Sequence, residues 1–461
     1  MSDGTLIASI SGIRGIVGDG LDPSVLVRYA AAYGTWARRR ARTEDVRPLI
    51  VVGRDARTSG PMCASIVIAT LQGMGCDVVD AGLATTPTVE MAVLKENAAG
   101  GIILTASHNP EPWNALKLLN HHGEFLTPEE GRTVMDMADR GEADPVGVND
   151  LGTKREEDYL DMHVGAILEL GVVDPLAIAN ANLTAVVDGV NSVGGVALPR
   201  LLSALGVNVI ELNCEPTGRF AHPAEPRPAH LTDLTARVKD EQADLGLAVD
   251  PDVDRLALVD DRGRFVLEEL TQVIAADFWW QHHDGAFVTN LSSSRAIEDI
   301  AAKHGQDVHR SAVGEINVVL LMKEVGAVLG GEGNGGVIVP DLHYGRDALA
   351  GTAIVLQHLA ASGRALSEIH DEMPTYHIVK DKLPLPDLAV SDLLVQVATR
   401  HEGKDMSNVD GLKISFSDRW VHMRPSNTEP ILRVYAEAPT EVEAQELADQ
   451  FKLELSAIIE G

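Results

Sequence analysis

Short apolar runs alternate with helix-like segments in three separate stretches of this 461-residue chain. In the first stretch, apolar runs at residues 49–52, 77–80 and 101–105 are separated by helix-like segments at 61–73 and 88–95. Similar alternations return from residue 184 and again from residue 286. Strands that alternate with helices typically form right-handed βαβ units in a largely parallel sheet. The pattern therefore predicts an α/β fold with three similar α/β domains whose sheets are mixed and largely parallel.

The tail of the chain has a different pattern. A helix-like segment follows residue 387, strand-like runs lie at 413–416, 420–423 and 431–437, and a final helix begins at Glu441. This order predicts a smaller C-terminal α+β domain.

The chain is too long for one core, and its length predicts three or four domains. Loop-forming residues at 141–152 and three prolines within 373–386 predict linkers. A further boundary is predicted just after the acidic stretch at residues 250–255, near Leu258. We therefore expect domains at residues 1–150, 151–258, 259–372 and 373–461.

The charge balance argues against nucleic acid as a partner. The chain has 38 lysine and arginine residues against 68 aspartate and glutamate residues, a formal net charge of −30, whereas proteins that bind phosphate backbones carry a basic face. Cys63, Cys76 and Cys214 form no Cys-x-x-Cys pair, so a reducing cytoplasm fits better than a disulfide framework. No apolar run approaches the roughly 20 residues of a membrane span. We expect a cytoplasmic protein that binds neither nucleic acid nor membrane.

Three carboxylates stand on alternate residues between two apolar runs: Asp250, Asp252 and Asp254. Such alternation at a strand end cannot serve a buried face, because burying even a neutral polar group without a partner costs roughly 2–7 kcal/mol. A loop that wraps a hard cation removes this cost, and closely spaced oxygen ligands suit Mg²⁺ or Ca²⁺. An EF-hand does not fit, since Arg255 and Asp261 stand where it needs Gly and Glu. A solvated acidic turn is the alternative in so acidic a chain.

Ser107 follows an apolar strand at residues 101–106. Pro110 lacks an amide donor and disfavours helix at Asn109, which places Ser107 on a bend at the carboxyl end of the strand, where α/β sheets bind ligands. No Gly-x-Ser-x-Gly elbow surrounds Ser107, so an acyl-transferring triad is poorly supported. The alternative is a serine or asparagine that caps the next segment.

Residues 330–336 contain five glycines, and only Glu332 and Asn334 offer side chains. Such a loop lets the backbone approach a ligand while an acid and an amide bond hydroxyl or amino groups, as a sugar requires. No Gly-Lys-Ser/Thr follows, so the segment is not a P-loop. A flexible hairpin is the alternative.

A fourth loop, residues 424–430, has a cation and small hydrogen-bonding side chains between two prolines. Arg433 follows on the next strand. Fixed donors together with guanidinium groups are what gripping a phosphate requires. A solvated turn with a structural arginine is the alternative.

These four loops, taken in order, resemble the α-D-phosphohexomutase family. The resemblance spans essentially the whole chain and also includes residues 11–15, residues 53–55 with Arg57, and residues 114–117. It implies four domains around a central cleft, a small-molecule sugar phosphate as substrate, Mg²⁺ as cofactor, a sugar bisphosphate as activator, and a monomer or homodimer. It also assigns roles: catalytic residues Ser107, His108, Lys117, Arg14 and Arg255; metal ligands Asp250, Asp252, Asp254 and phosphorylated Ser107; and substrate-binding residues Glu332, Asn334, Arg424, Ser426, Asn427, Thr428 and Arg433.

The chain departs from the family pattern at a few positions. Ala115 replaces a glycine found in many members, and Asn334 and Gly336 stand where many have Ser and His. His343 is a candidate to occupy the neighbouring space that the missing histidine leaves.

Residues 330–336 and 341–347 resemble the phosphoglucosamine mutases within the family, so the predicted reaction converts glucosamine 6-phosphate to glucosamine 1-phosphate. Phosphomannomutase/phosphoglucomutase activity is the alternative, since a 2-amino and a 2-hydroxyl group differ by one hydrogen-bonding atom. A non-catalytic sugar-phosphate sensor is an alternative of a different class, and a metal-dependent phosphatase is a third.

Overall fold

Four sheets, each with helices packed on it, organise the part of the chain that the structure describes. The structure is a computed structural model, and it describes residues 4–9, 12–40, 47–384, 389–426 and 431–460. The chain divides into two units: residues 1–271 with 334–371 form the first, and residues 272–333 with 372–461 form the second. None of the described helices is long and apolar enough to cross a membrane.

The first sheet is mixed. Its strands are β1 (Ile7–Ser9), β2 (Gly12–Val17), β3 (Gly20–Leu21), β4 (Leu49–Arg54), β5 (Asp77–Leu83), β6 (Gly100–Leu104), β7 (Trp113–Leu119) and β8 (Lys154–Glu156). The order is β1-β2-β7-β6-β4-β5-β8, with β3 beside β2. Strands β8, β5, β4 and β6 are parallel, whereas β7 is antiparallel to β6. The associated helices are α1 (Pro23–Arg40), α2 (Gly60–Gly73), α3 (Thr86–Lys95) and α4 (Pro128–Asp139).

Helices cover both faces of this sheet, which explains its uninterrupted apolar strands. Ile50 and Val52 of β4 belong to the core that includes α1 and α2. Val51 between them belongs to the opposite core, with Val89 and Val93 of α3. The alternation follows from the two-residue period of a strand.

The second sheet also belongs to the first unit. Its strands are β9 (Thr184–Asp188), β10 (Asn208–Leu212), β11 (Leu245–Val249), β12 (Leu256–Asp260) and β13 (Phe265–Val266), in the order β10-β9-β11-β12-β13. Strands β10, β9 and β11 are parallel, and β12 is antiparallel to β11. The helices of this region are α5 (Leu160–Leu168), α6 (Pro175–Asn180), α7 (Gly194–Ala204) and α8 (Thr232–Glu241).

The third sheet begins with the parallel strands β14 (Phe287–Asn290), β15 (Val308–Ser311) and β16 (Leu329–Glu332), in the order β15-β14-β16. Strand β17 (Gly336–Ile338) follows β16 in the chain. In chain order, α9 (Glu268–Trp279) precedes β14, α10 (Ala296–His304) and α11 (Glu315–Val325) connect the parallel strands, and α12 (Ala348–Ser362) and α13 (Leu366–Glu372) follow β17.

The fourth sheet is antiparallel, as the α+β prediction for the tail requires. Its strands are β18 (His377–Pro384), β19 (Asp405–Ser407), β20 (Leu412–Ser415), β21 (Trp420–Pro425) and β22 (Ile431–Ala438), in the order β18-β22-β21-β20-β19. Helices α14 (Val390–Arg400) and α15 (Glu441–Glu460) complete this part of the second unit.

The predicted linker at 373–386 is wrong over most of its length, because residues 377–384 form β18. This strand lies at the sheet edge, and its Pro384 is the last residue. Proline lacks a donor for the ladder, and an edge strand tolerates it at such a position.

The first three sheets share one strand arrangement, which confirms the predicted similarity of the three α/β domains. In each, the second strand of the βαβ series lies beside the first, and the third lies on the other side of the first: β5-β4-β6, β10-β9-β11 and β15-β14-β16. The segment after the third strand carries Ser107, the three aspartates, and the glycine-rich loop, respectively. The three loops therefore occupy equivalent positions in the three sheets.

The predicted domain limits stay predictions, although the sheets bear on two of them. Strand β8 follows residue 150 but pairs with β5 of the first sheet. Strand β13 follows residue 258 but pairs with β12 of the second. Loop composition marks where a chain bends, not which sheet a short strand joins. We propose limits after residues 156 and 266, which keep both sheets whole.

Candidate active site

Ser107 lies in the loop after β6, in a backbone conformation that few residues with side chains adopt. Its φ is +48°, in the left-handed region that non-glycine residues occupy only where the surroundings impose it. The Ser107 amide donates a hydrogen bond to Thr105 Oγ1 at 3.0 Å. The Ser107 hydroxyl donates one to Asp250 Oδ2 at 2.7 Å. The loop thus aims the hydroxyl at the first of the three aspartates.

A fully buried arginine braces the serine loop. Arg57 Nε donates a hydrogen bond to Asp55 Oδ2 at 3.0 Å, and Arg57 Nη2 donates to the carbonyl oxygens of Ser107 and Asn109 at 2.6 and 2.7 Å. Arg57 Nη1 donates to the carbonyl of Pro110 at 2.7 Å. Because guanidinium presents its donors in one rigid plane, a single side chain fixes three carbonyls of this loop. Asp55 and Arg57, which the sequence linked to the family only by resemblance, position the serine.

The three aspartates lie together in a tight turn after β11. Asp250, Asp252 and Asp254 are each fully buried, and one carboxylate oxygen from each lies within 4.8 Å of the others. Val253 between them has φ +64°, a strained value for a β-branched residue. Asp250 Oδ1 accepts hydrogen bonds from the amides of Asp254 and Arg255, both at 3.2 Å. The turn therefore directs alternate carboxylates into one shared space, and a solvated acidic turn is excluded.

The electrostatics of this acid triad (Asp250, Asp252 and Asp254) fit a bound cation. Burial and the charges of Asp254 and Asp252 raise the pKa of Asp250 well above its usual range. Asp252 Oδ1 and Asp254 Oδ1 are buried and accept no hydrogen bond from any described residue, and an unsatisfied buried acceptor costs about 1–3 kcal/mol. A divalent ion would coordinate these oxygens and relieve the repulsion, and oxygen ligands suit Mg²⁺ and Ca²⁺.

Lys117 and Arg255 supply positive charge beside the triad. Lys117 Nζ on β7 lies 2.6 Å from Asp252 Oδ2 and 3.6 Å from Asp254 Oδ2. Burial acts to lower the pKa of Lys117, but the two carboxylates outweigh it and the pKa is raised. Arg255 Nε lies 3.7 Å from Asp254 Oδ1 and 3.9 Å from Asp250 Oδ2. The structure thus places both predicted catalytic residues beside the acid triad.

Arg14 and His108 complete the set of predicted catalytic residues. Arg14 lies on β2 opposite Ala115 of β7, and burial together with the charge of Arg255 lowers its pKa. His108 Nδ1 lies 3.5 Å from Ser107 Oγ. The charge of Arg255, followed by burial, lowers the pKa of His108 to about 2, so its imidazole is neutral.

Arg346 is a neighbour of the triad that the sequence did not reveal. Its Nη2 donates a hydrogen bond to Asp254 Oδ2 at 2.7 Å, across 92 residues of sequence. Burial acts to raise the pKa of Asp254, but Arg346 and Lys117 outweigh it and lower the pKa below its usual range. One sequence feature relates to this contact: Gly336 stands where many family members have a histidine. A Cβ there would lie 2.3 Å from Arg346 Cδ, so the glycine leaves Arg346 its path to Asp254.

Replacing Arg346 by methionine is expected to lower the free energy of unfolding by about 3 kcal/mol without divalent cation, because it removes the shortest cationic contact of the buried Asp254 and leaves only Lys117 and Arg255 at 3.6 and 3.7 Å. Added Mg²⁺ is expected to restore part of this loss by supplying positive charge. Urea unfolding with and without MgCl₂ measures both effects. The control is Arg262→Met, since the Arg262 side chain is 55% exposed and surface changes usually stay within about 0.5 kcal/mol. Equal unfolding curves for the two variants would contradict the role of Arg346.

The glycine-rich loop is held against β12, the strand that follows the acid triad. Gly335 has φ +89°, and a Cβ there would lie 2.3 Å from the Leu256 carbonyl oxygen. The Gly335 carbonyl accepts a hydrogen bond from the Leu256 amide at 3.0 Å. Asn334 Oδ1 accepts one from the Gly336 amide at 3.2 Å. Only glycine fits position 335, so the loop is more than a flexible hairpin.

Glu332, the other predicted sugar ligand, belongs to the second unit. It is the last residue of β16 and is buried. Its Oε1 accepts a hydrogen bond from Asn290 Nδ2 at 2.8 Å. Asn290 ends β14, the neighbouring strand. The acid is thus fixed at the carboxyl edge of the parallel strands.

The predicted phosphate loop brings two arginines together. Arg424 on β21 stands directly opposite Arg433 on β22. Arg433 Nη2 donates a hydrogen bond to Ser426 Oγ at 3.4 Å, and Arg424 Nε lies 2.9 Å from Asp410 Oδ2. Like charges directly opposite across two strands are destabilising, and an anion bound by both would compensate. Asn427 and Thr428 lie outside the described residues.

A second buried polar cluster contains Glu90 of α3, His163 of α5, His343 and Asp347. Asp347 Oδ2 lies 2.7 Å from His163 Nε2 and 3.2 Å from His343 Nε2. His343 Nδ1 lies 3.3 Å from Glu90 Oε2. Burial acts to lower the pKa of His343, but Asp347 and Glu90 outweigh it and raise the pKa to about 10. These contacts account for His343 as a buried, protonated partner of two carboxylates rather than as a sugar ligand.

His343→Gln is expected to destabilise the fold in a pH-dependent way. The folded-state pKa of His343, about 10, lies above its ordinary 6.5, so the stabilisation is complete below the ordinary value and is lost as pH rises through the folded one. We expect a loss of about 3 kcal/mol at low pH, the scale for breaking a buried pair, and a smaller loss toward pH 10. Urea unfolding across this range tests it, with the exposed His309→Gln as control. A difference that grows with pH would contradict the assignment.

Family models match the chain in four consecutive segments. Alpha/beta/alpha domains I, II and III of phosphoglucomutase/phosphomannomutase match residues 7–144, 158–263 and 269–376. The C-terminal domain of the same family matches residues 381–454.

Full-length relatives agree with these matches. A phosphoglucomutase/phosphomannomutase of Thermococcus kodakarensis is 37% identical over 439 residues, covering 94% of this chain and 95% of the relative. A probable phosphoglucosamine mutase of Methanopyrus kandleri is 34% identical over 446 residues, covering 96% of each. The crystal structure of a phosphoglucomutase/phosphomannomutase family protein from Burkholderia thailandensis has a TM-score of 0.84 at 26% identity and covers 98% of both chains.

Fold and sequence together define an enzyme of the phosphohexomutase class, an isomerase. The chain belongs to the phosphoglucomutase/phosphomannomutase family, with all four of its domains. The resemblance drawn from the four loops is confirmed.

Proposed function

We propose that this enzyme interconverts a hexose 6-phosphate and a hexose 1-phosphate through a phosphorylated Ser107 and a sugar bisphosphate. The observation that carries the proposal is the Ser107 hydroxyl 2.7 Å from Asp250, beside buried carboxylates and the cations Lys117 and Arg255. Phosphoryl transfer depends mainly on positioning and charge neutralisation. Serine, acid triad and cations offer both in one place.

In the first half-reaction, a free hydroxyl of the sugar phosphate attacks the phosphorus of phosphorylated Ser107. The bond between phosphorus and Ser107 Oγ breaks as the bond to the sugar oxygen forms, and the hydroxyl proton ends on Ser107 Oγ. The products are a sugar bisphosphate and free serine. We assign the proton transfer to Lys117 and the neutralisation of phosphate charge to Arg14 and Arg255, with His108 as a neighbour of Ser107 Oγ.

Asp250, Asp252 and Asp254 would hold Mg²⁺ together with an oxygen of phosphorylated Ser107. When bound, the ion neutralises charge on the phosphoryl group. The buried oxygens of Asp252 and Asp254 that accept no hydrogen bond from a described residue support this assignment.

The second half-reaction reverses the first with the other phosphate of the bisphosphate, so Ser107 is phosphorylated again. The bisphosphate must present each end in turn. We assign the sugar hydroxyls to Glu332 and Asn334. A bisphosphate that escapes leaves Ser107 unphosphorylated, and added sugar bisphosphate therefore acts as an activator. The non-reacting phosphate is assigned to Arg424, Ser426, Asn427, Thr428 and Arg433.

Arg424→Ala is expected to weaken the apparent substrate affinity by roughly ten- to a hundredfold, because a charge-assisted hydrogen bond contributes ~1.5–3 kcal/mol. Arg424→Lys keeps the charge but loses the planar fork, so it should recover part of the affinity. Initial rates over a range of substrate concentrations measure the effect, with Arg400→Ala, whose side chain is 50% exposed, as control. Metal binding and Ser107 phosphorylation should survive. Unchanged affinity with lost metal binding would place Arg424 in the metal site instead.

We propose glucosamine 6-phosphate as the preferred substrate, on the resemblance of residues 330–336 and 341–347 to phosphoglucosamine mutases and on the name of the Methanopyrus kandleri relative. The name of the Thermococcus kodakarensis relative supports glucose or mannose phosphate as the second candidate. Assays with glucosamine, glucose and mannose phosphates, each primed with its own bisphosphate, decide between them. A higher kcat/KM for a neutral sugar would overturn the preferred assignment.

The same assays address the alternatives of a different class. A non-catalytic sensor would bind the sugar phosphate without converting it. A phosphatase would release inorganic phosphate in proportion to substrate consumed, whereas water attacking phosphorylated Ser107 is only a slow side reaction of a mutase.

A further inference from the structure

The second unit contains a cavity of about 320 Å³ lined by four basic side chains, the carboxylates of Glu298 and Asp405, and two aromatic rings. Residues near the third and fourth sheets line it, and the acid triad is not among them. Its walls include the charged side chains of Arg295, Arg310, Lys413 and Arg419 and the rings of Phe416 and Trp420. Four cations around one cavity are unusual in a chain with a formal net charge of −30.

Lys413 is the most deeply buried of these cations. It is 4% exposed, and its Nζ lies 4.2 Å from the centroid of the Trp420 ring. Among the described residues, its one hydrogen-bond acceptor is the Leu291 carbonyl, at 2.7 Å, although an ammonium has three donors. No described carboxylate lies within ion-pair distance. Burial, followed by the charge of Arg310, lowers the pKa of Lys413 well below its usual range.

Arg295 also has a hydrogen-bond donor that no described residue accepts. Its Nε is buried and donates no hydrogen bond to any described residue, and its guanidinium carbon lies 5.4 Å from the centroid of the Tyr376 ring. The carboxylate of Glu437 nearby accepts from the Arg295 backbone amide at 2.9 Å and from the Trp420 indole. The side chain of Arg295 is therefore available to an anion.

The other two cations of the cavity are engaged with carboxylates. Arg310 Nε and Nη2 donate hydrogen bonds to Glu298 at 2.6 and 2.8 Å. Arg419 donates to Asp418 and Glu443. Lys413 and Arg295 are the two basic side chains of the cavity that have no ion-pair partner among the described residues.

We propose that this cavity binds a small organic anion that has one phosphate or carboxylate group and a planar apolar body. Lys413 and Arg295 would contact the anionic group, and the body would lie against Trp420 and Phe416. The volume falls at the lower end of the roughly 300–1,000 Å³ of small-molecule sites. A buried charge without a counterion is costly, and such a ligand supplies the counterion.

Pyridoxal 5′-phosphate is a suitable probe, because it joins a phosphate, a planar ring and an aldehyde. Its aldehyde carbon forms a double bond to Lys413 Nζ with loss of one water. Borohydride then reduces this imine, adding a hydride to carbon while the nitrogen takes a proton from solvent. Burial lowers the pKa of Lys413, which raises its free-amine fraction above that of an exposed lysine, and the free amine is the form that attacks the aldehyde.

We expect peptide mass spectrometry of the full-length protein to find the label on Lys413 ahead of Lys382, an exposed lysine of β18 that does not line the cavity. Phenyl phosphate should abolish the label on Lys413 and leave Lys382 unaffected. Because the readout is residue by residue, binding of either compound at Ser107 does not interfere. Labelling of Lys382 without Lys413 would overturn the proposal, as would failure of phenyl phosphate to protect.

Two further protection measurements distinguish a binding site for an organic anion from a lysine that is only unusually reactive. Arg295→Met should raise the phenyl phosphate concentration needed for protection by about tenfold or more, the loss of one charge-assisted contact, whereas the exposed Arg400→Met should not. Inorganic phosphate should protect more weakly than phenyl phosphate, because it lacks the apolar body. Equal protection by both would contradict the organic part of the proposal.

Discussion

Ser107→Ala is expected to lower mutase activity by at least about 10⁴-fold, in line with the loss caused by removing a catalytic nucleophile in other enzymes. The side chain that would carry the phosphoryl group is then absent. Intact-mass spectrometry of the parent protein, which keeps Ser107, should show a population about 80 Da heavier than the sequence mass, the mass of a phosphoryl group. This population should be missing from the variant. Coupled assays with the bisphosphate present measure the activity.

Ser203→Ala, at an exposed position of α7, is the matched control and should behave as the parent. Loss of the Ser107 hydroxyl also removes a hydrogen bond to Asp250, so urea unfolding should accompany the assay. A variant that is folded and fully active would refute the proposed chemistry, whatever the substrate.

Asp252→Asn is expected to weaken Mg²⁺ binding by about 100-fold or more, beyond the 10–100-fold typical of residues that only support a ligand. The substitution keeps the shape of the side chain and removes the negative charge that pairs with Lys117 and that would bind the metal ion. Turnover should fall with metal affinity, and excess Mg²⁺ should recover part of it. Calorimetric titration of the apoprotein and rates at increasing Mg²⁺ measure the two effects separately.

The exposed Asp240→Asn on α8 serves as the control. Parent enzyme that keeps its activity in the presence of a strong chelator would count decisively against a metal in the triad. The same holds if Asp252→Asn binds Mg²⁺ as tightly as the parent.

The sequence predicted what depends on local residue patterns. Alternating apolar runs gave the α/β class, since strands buried on both faces read as continuous apolar runs. The serine, aspartate and arginine loops each combine their chemistry within a few residues, so the sequence alone predicts each of them as a candidate site. Asp250, Asp252 and Asp254 illustrate this best, because their alternation had no inexpensive explanation in a strand.

What the sequence missed depends on contacts between distant segments. Arg346 reaches Asp254 from 92 residues away, and Gly336, which leaves it room, gives no indication of that partner. His163, His343 and Glu90 are single titratable residues on separate segments that meet only in the folded chain. Three prolines within 373–386 predict a linker, but only Pro384 belongs to β18, and this strand pairs with β22 along its whole length.

Three connections carry different chemistry on one repeated strand arrangement. The serine, the acid triad and the glycine-rich segment each follow the third strand of a βαβ series with the same strand order. The backbone hydrogen bonds that hold the strands together do not depend on which side chains stand in these loops. Substitutions within one loop can therefore alter its chemistry while the ladders of its sheet stay intact.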